Sequence, residues 1–349
     1  MGYEMRLPDD FHVHLRQGPL LRQVVNETAG WFGRALAMPN TIPPVTSADA
    51  MTRYREQIVA AMPEDRPFEP LLVFKLLPGI SPDEVARMKA AGAVGGKLYP
   101  QGVTTNSADG APSAEPLYPV MAAMEEHDLV LEIHAEQPGS FVLDREEHYL
   151  TVVQQIIDRF PALRVVVEHV SSRAGVDFVR AASERVAATI TVHHLLLTLD
   201  DVVGGELKPH HFCKPIAKRE EDRQALLDAF ASGEACFFFG SDSAPHQVGD
   251  KECESGCAGI YTAPVAVVLL IELAEERGVP VTEAAARGAP SLEAFLSRYG
   301  AEFYRLPVAT RRLQIVERLW MVPHRYGPVV PFRAGTQLRY DRAHERRSS

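Results

Sequence analysis

Eight short runs rich in β-branched or aromatic residues, separated by longer stretches of helical period, set the tightest limit on how this chain can fold. The runs lie near 11–15, 35–38, 71–77, 94–99, 129–134, 165–169, 189–193 and 236–240. Parallel strands need a crossover between neighbours, and a helix supplies it, so the alternation predicts an α/β protein with a parallel sheet. No long linker separates two halves. A closed (β/α)8 barrel of the TIM type therefore fits better than an open doubly wound sheet with an added domain. The dinucleotide-binding form of that alternative lacks its fingerprint, because no G-x-G-x-x-G follows the first run.

The helices are legible from their ends and stripes. Ser81-Pro82-Asp83-Glu84 puts a capping hydroxyl before proline and two acids in the first turn, which predicts a helix running toward Ala90. Leu117, Val120, Met121 and Met124 fall on one helical face, as do Leu150, Val153, Ile157 and Phe160. Segments 219–232 and 263–278 supply two more, the second closed by Gly278 and Val279-Pro280. Past about Arg298 the pattern breaks. The expected division is a barrel over 1–300 and a C-terminal extension over 301–349. Within it, 329–332 and 336–340 read as an extended tail packed on the barrel, and 342–349 as a frayed polar end.

Composition narrows the partners. With 349 residues, 46% of them apolar, the chain can bury a large core. Its net charge of -10 argues against a nucleic-acid surface or an anionic membrane, both of which select clustered cations. A small-molecule ligand is expected. The first residues have no apolar stretch of signal-peptide length and no later run suits a membrane span, so a cytoplasmic location is expected. Cys213, Cys236, Cys253 and Cys257 show no disulfide framework and read as free thiols.

Catalytic groups of a (β/α)8 barrel collect at the C-terminal ends of its strands. Here those ends carry His12 and His14, Lys97, His134, His169 and Asp242. Each has an ordinary reading alone: packed core histidines, a lysine paired with Glu132 or Glu168, an aspartate capping the turn before Pro245. Solvation does not explain all six at one rim. A two-metal site does, because imidazole and carboxylate suit zinc and two ions can share one activated water. An ammonium has no lone pair for a cation, but a neutral lysine can take up carbon dioxide as a carbamate whose two oxygens bridge two ions. His193 and His194 end the seventh run and invite assignment as ligands. His210 and His211 are read as structural, and Ser171-Ser172 has no partnered base to make a nucleophile.

Several segments carry a resemblance that spans nearly the whole chain. They are Pro8-Asp9-Asp10-Phe11-His12-Val13-His14-Leu15-Arg16, Met38-Pro39-Asn40, Pro43-Pro44-Val45-Thr46, Lys97-Leu98-Tyr99-Pro100, Thr104-Thr105-Asn106-Ser107, Glu168-His169, Gly240-Ser241-Asp242-Ser243-Ala244-Pro245-His246 and Cys257-Ala258-Gly259. In these the chain resembles the dihydroorotases of the amidohydrolase superfamily, of the shorter bacterial and fungal type. The resemblance implies two zinc ions, one held by His12, His14 and Asp242 and the other by His134 and His169, bridged by a carboxylated Lys97. It implies that Arg16, Asn40 and His246 grip the substrate carboxylate, and that Thr104 and Thr105 tip a mobile loop. Main-chain groups near Lys214 and Ala258 would meet the ring amides. The resemblance gives His193 and His194 no metal role, so a place on the rim or behind a ligand is expected for them. The implied reaction is reversible cyclisation of N-carbamoyl-aspartate to dihydroorotate with loss of water, in pyrimidine synthesis, with Asp242 moving the proton. The family also suggests a homodimer. Lys214 stands where some members have leucine, which matters only if its side chain enters the ring pocket. Two alternatives remain: another cyclic-amide hydrolase, of hydantoinase or allantoinase type, and a non-catalytic barrel scaffold.

Overall fold

The computed structural model describes residues 2–64 and 66–343. The chain opens with β1 (Tyr3–Arg6) and then passes through β2 (Asp9–Val13), β3 (Arg34–Ala37), β4 (Glu69–Lys75), β5 (Ala93–Leu98), β6 (Val130–Ile133), β7 (Arg164–Val167), β8 (Val186–Ile190) and β9 (Phe237–Phe239). Among the described residues, β2 to β9 form one eight-stranded sheet in chain order, every pair parallel. Beyond β9 the sheet returns to its start. Val13 bridges Ser243 in parallel, His14 N donates to Ser243 O at 3.0 Å, and Asp242 N donates to His12 O at 2.8 Å. The expected TIM-type barrel is therefore present, and closure leaves its strands no open edge.

Helices cover the barrel where the sequence placed them. Ser81 accepts a hydrogen bond from Glu84 N at 3.2 Å and starts the helix Pro82–Ala90. Glu220–Ser232 stops at Gly233, whose φ of 72° only glycine adopts freely. The helix expected from residue 263 begins at Ala266 instead, after a turn in which Thr262 O accepts from Val265 N and Ala266 N, both at 2.9 Å. The run expected to end at His193 ends at Ile190. Thr191 accepts from His194 N and caps a short helix, Val192–Leu196, so both histidines lie on a helical turn rather than on a strand.

The C-terminal part holds more structure than its sequence suggested. Strand β10 (Arg312–Met321) lies between β1 and β11 (Gln337–Arg342) in a three-stranded antiparallel sheet, with Tyr3 opposite Ile315 and Arg6 opposite Arg312. Leu313 and Ile315 turn inward, but a register shift between Glu317 and Trp320 breaks the alternation and hid this strand. Val329 and Phe332 are buried, and Pro331 bridges Tyr261. Arg342 ends β11 instead of fraying, and 344–349 lie outside the described residues. No helix among the described residues is long and apolar enough to cross a membrane.

Aromatic packing ties this part to the barrel. Tyr304 stacks on Phe11 at a centroid distance of 4.9 Å, and its hydroxyl donates to Glu132 at 3.1 Å. The preceding helix, Tyr299–Phe303, approaches so closely that a Cβ on Gly300 would meet the Phe11 ring at 2.4 Å. Gly300→Ala should therefore overpack this contact and destabilise the fold by about 1–3 kcal/mol. A denaturant midpoint equal to that of the parent would show that the interface yields freely.

Candidate metal centre and active site

The barrel delivers its polar residues to one rim by small offsets from the strand ends. His14 and His134 immediately follow β2 and β6, His169 lies just past β7, Asp242 just past β9, and Lys97 sits within β5. His169 and Asp242 take left-handed backbone with φ of 41°, as do Arg16 at 63° and Asn106 at 55°. Non-glycine residues pay for that conformation in strain and cluster where a site imposes it.

Four imidazoles and a carboxylate meet there. Asp242 Oδ1 lies 3.1 Å from His14 Nε2 and 3.4 Å from His12 Nε2. The His169 ring centroid is 5.0 Å from that of His12 and 4.7 Å from that of His134. Donor atoms of His12, His14 and Asp242 all fall within 4.8 Å of one another, as ligands of a single cation would. Outer partners fix three of the four rings. His12 Nδ1 meets Glu168 Oε2 at 2.8 Å, His14 Nδ1 meets Asn40 Oδ1 at 2.9 Å, and His134 Nε2 meets Glu136 Oε2 at 2.7 Å. Such bonds set the tautomer and leave the opposite nitrogen of each ring for an ion.

Burial and charge compete sharply here. Burial works against a charged His12, but Glu168 and Asp242 outweigh it and push its pKa up to about 9. Burial pulls neighbouring His14 down to about 4. For Asp242, burial favours the neutral acid, yet bonds to His12 and His14 hold its carboxyl well below the usual range. Burial, with Glu168 adding repulsion, lifts Glu132 to about 8.

Two orphaned groups test whether a metal pair fits. Lys97 is fully buried, and among the described residues its Nζ has no hydrogen-bond partner, so the pairing with Glu132 or Glu168 open to it in the sequence is not made. Burial pulls its pKa down, toward the neutral amine. His169 Nδ1 is likewise buried without a partner. An unpaired buried amine among imidazoles is costly as it stands, and the donor set of nitrogens and a carboxylate suits zinc, so the residues fit the group.

Beside this cluster a small cavity of about 20 Å³ is lined by His12, His14, Arg16, Asn40, Tyr99, Thr104, Thr105, His134, His169, Lys214, Asp242, Ala244, Ala258 and Gly259. The 101–110 loop closes it. Thr105 Oγ1 donates to Ala258 O at 3.4 Å, Asn106 Nδ2 to Asn40 O at 3.0 Å, and Lys75 Nζ to Asn106 O at 2.9 Å and to Asp109. Thr104 and Thr105 of the loop form part of the cavity wall. Outside it, His246 and Arg16 border a wider groove of about 1080 Å³. Arg16 Nε donates to Pro245 O at 2.9 Å, and its Nη2 lies 2.9 Å from His246 Nε2. Burial and then the Arg16 charge pull His246 down to about 3, so its ring is neutral.

Residues singled out only for ordinary roles fall accordingly. Ser171 and Ser172 both donate to the carboxylate of Glu146, His210 meets Glu252 at 2.8 Å, and His211 meets the Asp201 carbonyl at 2.9 Å. The four cysteines are free. The sequence reading missed Glu136, whose signal was its place two residues after His134, and Lys75, whose partners lie on the distant loop. It also missed Asp10, whose Oδ1 accepts from His12 N at 3.1 Å and Ser241 N at 2.8 Å and so pins β2 to the segment carrying Asp242. Glu136→Ala should loosen His134 and weaken metal retention about 10- to 100-fold in chelator competition. Unchanged retention would mean that His134 is oriented without it.

The comparisons agree with this geometry. The amidohydrolase family model matches residues 21–194. A dihydroorotase of Shewanella denitrificans is 44% identical over 346 residues, covering 97% of this chain and 98% of that protein. The crystal structure of Saccharomyces cerevisiae dihydroorotase in complex with 5-fluoroorotic acid superimposes with a TM-score of 0.89 at 32% identity, covering 98% of each chain. That of Campylobacter jejuni dihydroorotase gives 0.88 at 35% identity, again over 98% of each. With relatives this similar over nearly its full length, and with the rim residues brought together as the barrel requires, the chain belongs to the dihydroorotase family of amidohydrolases.

Proposed function

We propose that this protein is a zinc-dependent dihydroorotase, a cyclic amide hydrolase that interconverts N-carbamoyl-L-aspartate and L-dihydroorotate plus water in pyrimidine synthesis. The observation that carries the reading is the meeting of His12, His14, His134, His169 and Asp242 around the unpaired Lys97. In the proposed centre His12, His14 and Asp242 would hold one zinc ion and His134 and His169 the other, with Lys97, carboxylated on Nζ, as the ligand they would share. When bound, zinc would bring the pKa of its water down toward about 7 and polarise a carbonyl.

The chain's own groups do the rest. Asp242, kept ionised by its two histidine neighbours, takes the proton of the attacking water in the ring-opening direction and returns it to the departing ring nitrogen. Arg16 presents a fixed cation to the substrate carboxylate. Because Pro245 and His246 already hold two of its donors, it is pre-aimed rather than free to swing. His246 stays neutral and supports that guanidinium, and Asn40 divides its amide between His14 and the Thr105 carbonyl, linking metal ligand to loop. Thr104 and Thr105, closing with the loop, exclude water from the site, and the main chain at Lys214 and Ala258 faces the ring amides. The same reading makes the enzyme cytoplasmic and, by resemblance to its family, a homodimer, which sedimentation at graded concentrations tests.

The deciding assay follows ring opening of dihydroorotate and ring closure of carbamoyl-aspartate on one zinc-loaded sample. Interconversion in both directions is expected. Opening of hydantoin or allantoin rings without turnover of dihydroorotate would assign the chain to another cyclic-amide substrate. Asp242→Ala should lower kcat by at least about a hundred- to ten-thousand-fold with the circular dichroism spectrum retained. Arg16→Lys should mainly raise KM, since a point charge replaces the fork. An unchanged KM would place the carboxylate elsewhere.

A further inference from the structure

A second group of metal-type donors shares no residue with the rim cluster, and none of its three side chains has a part in the proposed reaction. His193 and His194 sit on the short helix Val192–Leu196, and Cys213 sits on the loop that leads to Pro215. All three side chains are buried, and one donor atom from each lies within 4.8 Å of the other two. His194 Nε2 is 3.8 Å from Cys213 Sγ, and the Pro215 carbonyl oxygen lies 2.9 Å from the first and 3.2 Å from the second. The second, independent observation is His193 itself. It is wholly buried, and among the described residues neither of its ring nitrogens has a hydrogen-bond partner. A neutral imidazole always carries one N–H and one lone pair, so both are stranded, which native proteins avoid unless something binds there.

We propose that His193, His194 and Cys213 hold one zinc-type transition-metal ion, with the Pro215 carbonyl as a fourth donor, separate from the pair at His12 and His134. Two imidazoles and a thiolate are a soft, nitrogen-rich set that selects zinc or its analogues over magnesium or calcium. On binding, the Cys213 S–H bond breaks, sulfur bonds to the ion and the proton leaves to solvent. His194 exchanges its Nε2 proton for one on Nδ1, where Thr191 Oγ1 at 2.9 Å accepts it. The ion would fasten the turn after β8 to the loop whose next residue, Lys214, lines the small cavity, and so hold one wall of that cavity in place.

The sulfur makes the test independent of the proposed function, because no ligand of the rim cluster contains one. The full chain is produced with cobalt(II) in place of zinc, so that the ion enters as the chain folds, and is then read by metal content and by the near-ultraviolet thiolate-to-cobalt charge-transfer band. The parent should show that band and one more ion per chain than His193→Gln, and the band should be absent from both His193→Gln and Cys213→Ser. Should Cys213→Ser fail to fold, His193→Gln decides alone, since it keeps the thiol. A parent without the band, or a parent and His193→Gln alike in both readings, would overturn the proposal, whatever the enzyme turns over.

Discussion

Burying ionisable groups is the constraint on which this structure depends. Asp242, Glu168, Glu132, Lys97 and three of the rim histidines are almost wholly removed from water, and each would be destabilising without a partner of suitable charge. The barrel meets that demand in layers. Glu168 supports His12, Asn40 supports His14, Glu136 supports His134, and Thr189 in turn donates to Glu168. Among the described residues, Lys97 Nζ and His169 Nδ1 in the cluster remain without a hydrogen-bond partner, as do one oxygen each of Glu132, Glu136 and Glu168 around it.

The same layering links the metal ligands to the substrate side. Asn40 touches both His14 and the 101–110 loop, and Arg16 is held by Pro245 and His246 in the segment that follows Asp242. Lys75, register partner of Lys97 on the neighbouring strand, is buried and reaches Asn106 and Asp109 on that loop. The loop contacts and the ligand cluster therefore share strands. Four of the eight described non-glycine residues with left-handed backbone, Arg16, Asn106, His169 and Asp242, belong to this region.

Much of this was legible in the sequence because periodicity and strand-end chemistry are local. Val165-Val166-Val167 reads as a buried strand without any knowledge of its neighbours, and His169 just past it reads as a rim residue. Less local features were hidden. Strand β10 lost its alternation to a bulge, and Thr191 converted the expected end of the seventh strand into a capped turn carrying His193 and His194. The partners of Lys75, Tyr304 and Asp10 are set by tertiary approach, which no spacing along the chain reports. Lys97 was the reverse case. The sequence offered it either a carboxylate partner or a carbamate, and only its burial without a hydrogen bond sets the first aside.

The most direct test of the dinuclear centre is anomalous diffraction at the zinc edge from crystals of the zinc-loaded protein. The account requires two strong peaks at the rim, one among His12, His14 and Asp242 and one beside His134 and His169, with density for a carboxylated Lys97 between them. A rim holding a single ion, or none, with Lys97 unmodified and bridging nothing, would contradict it.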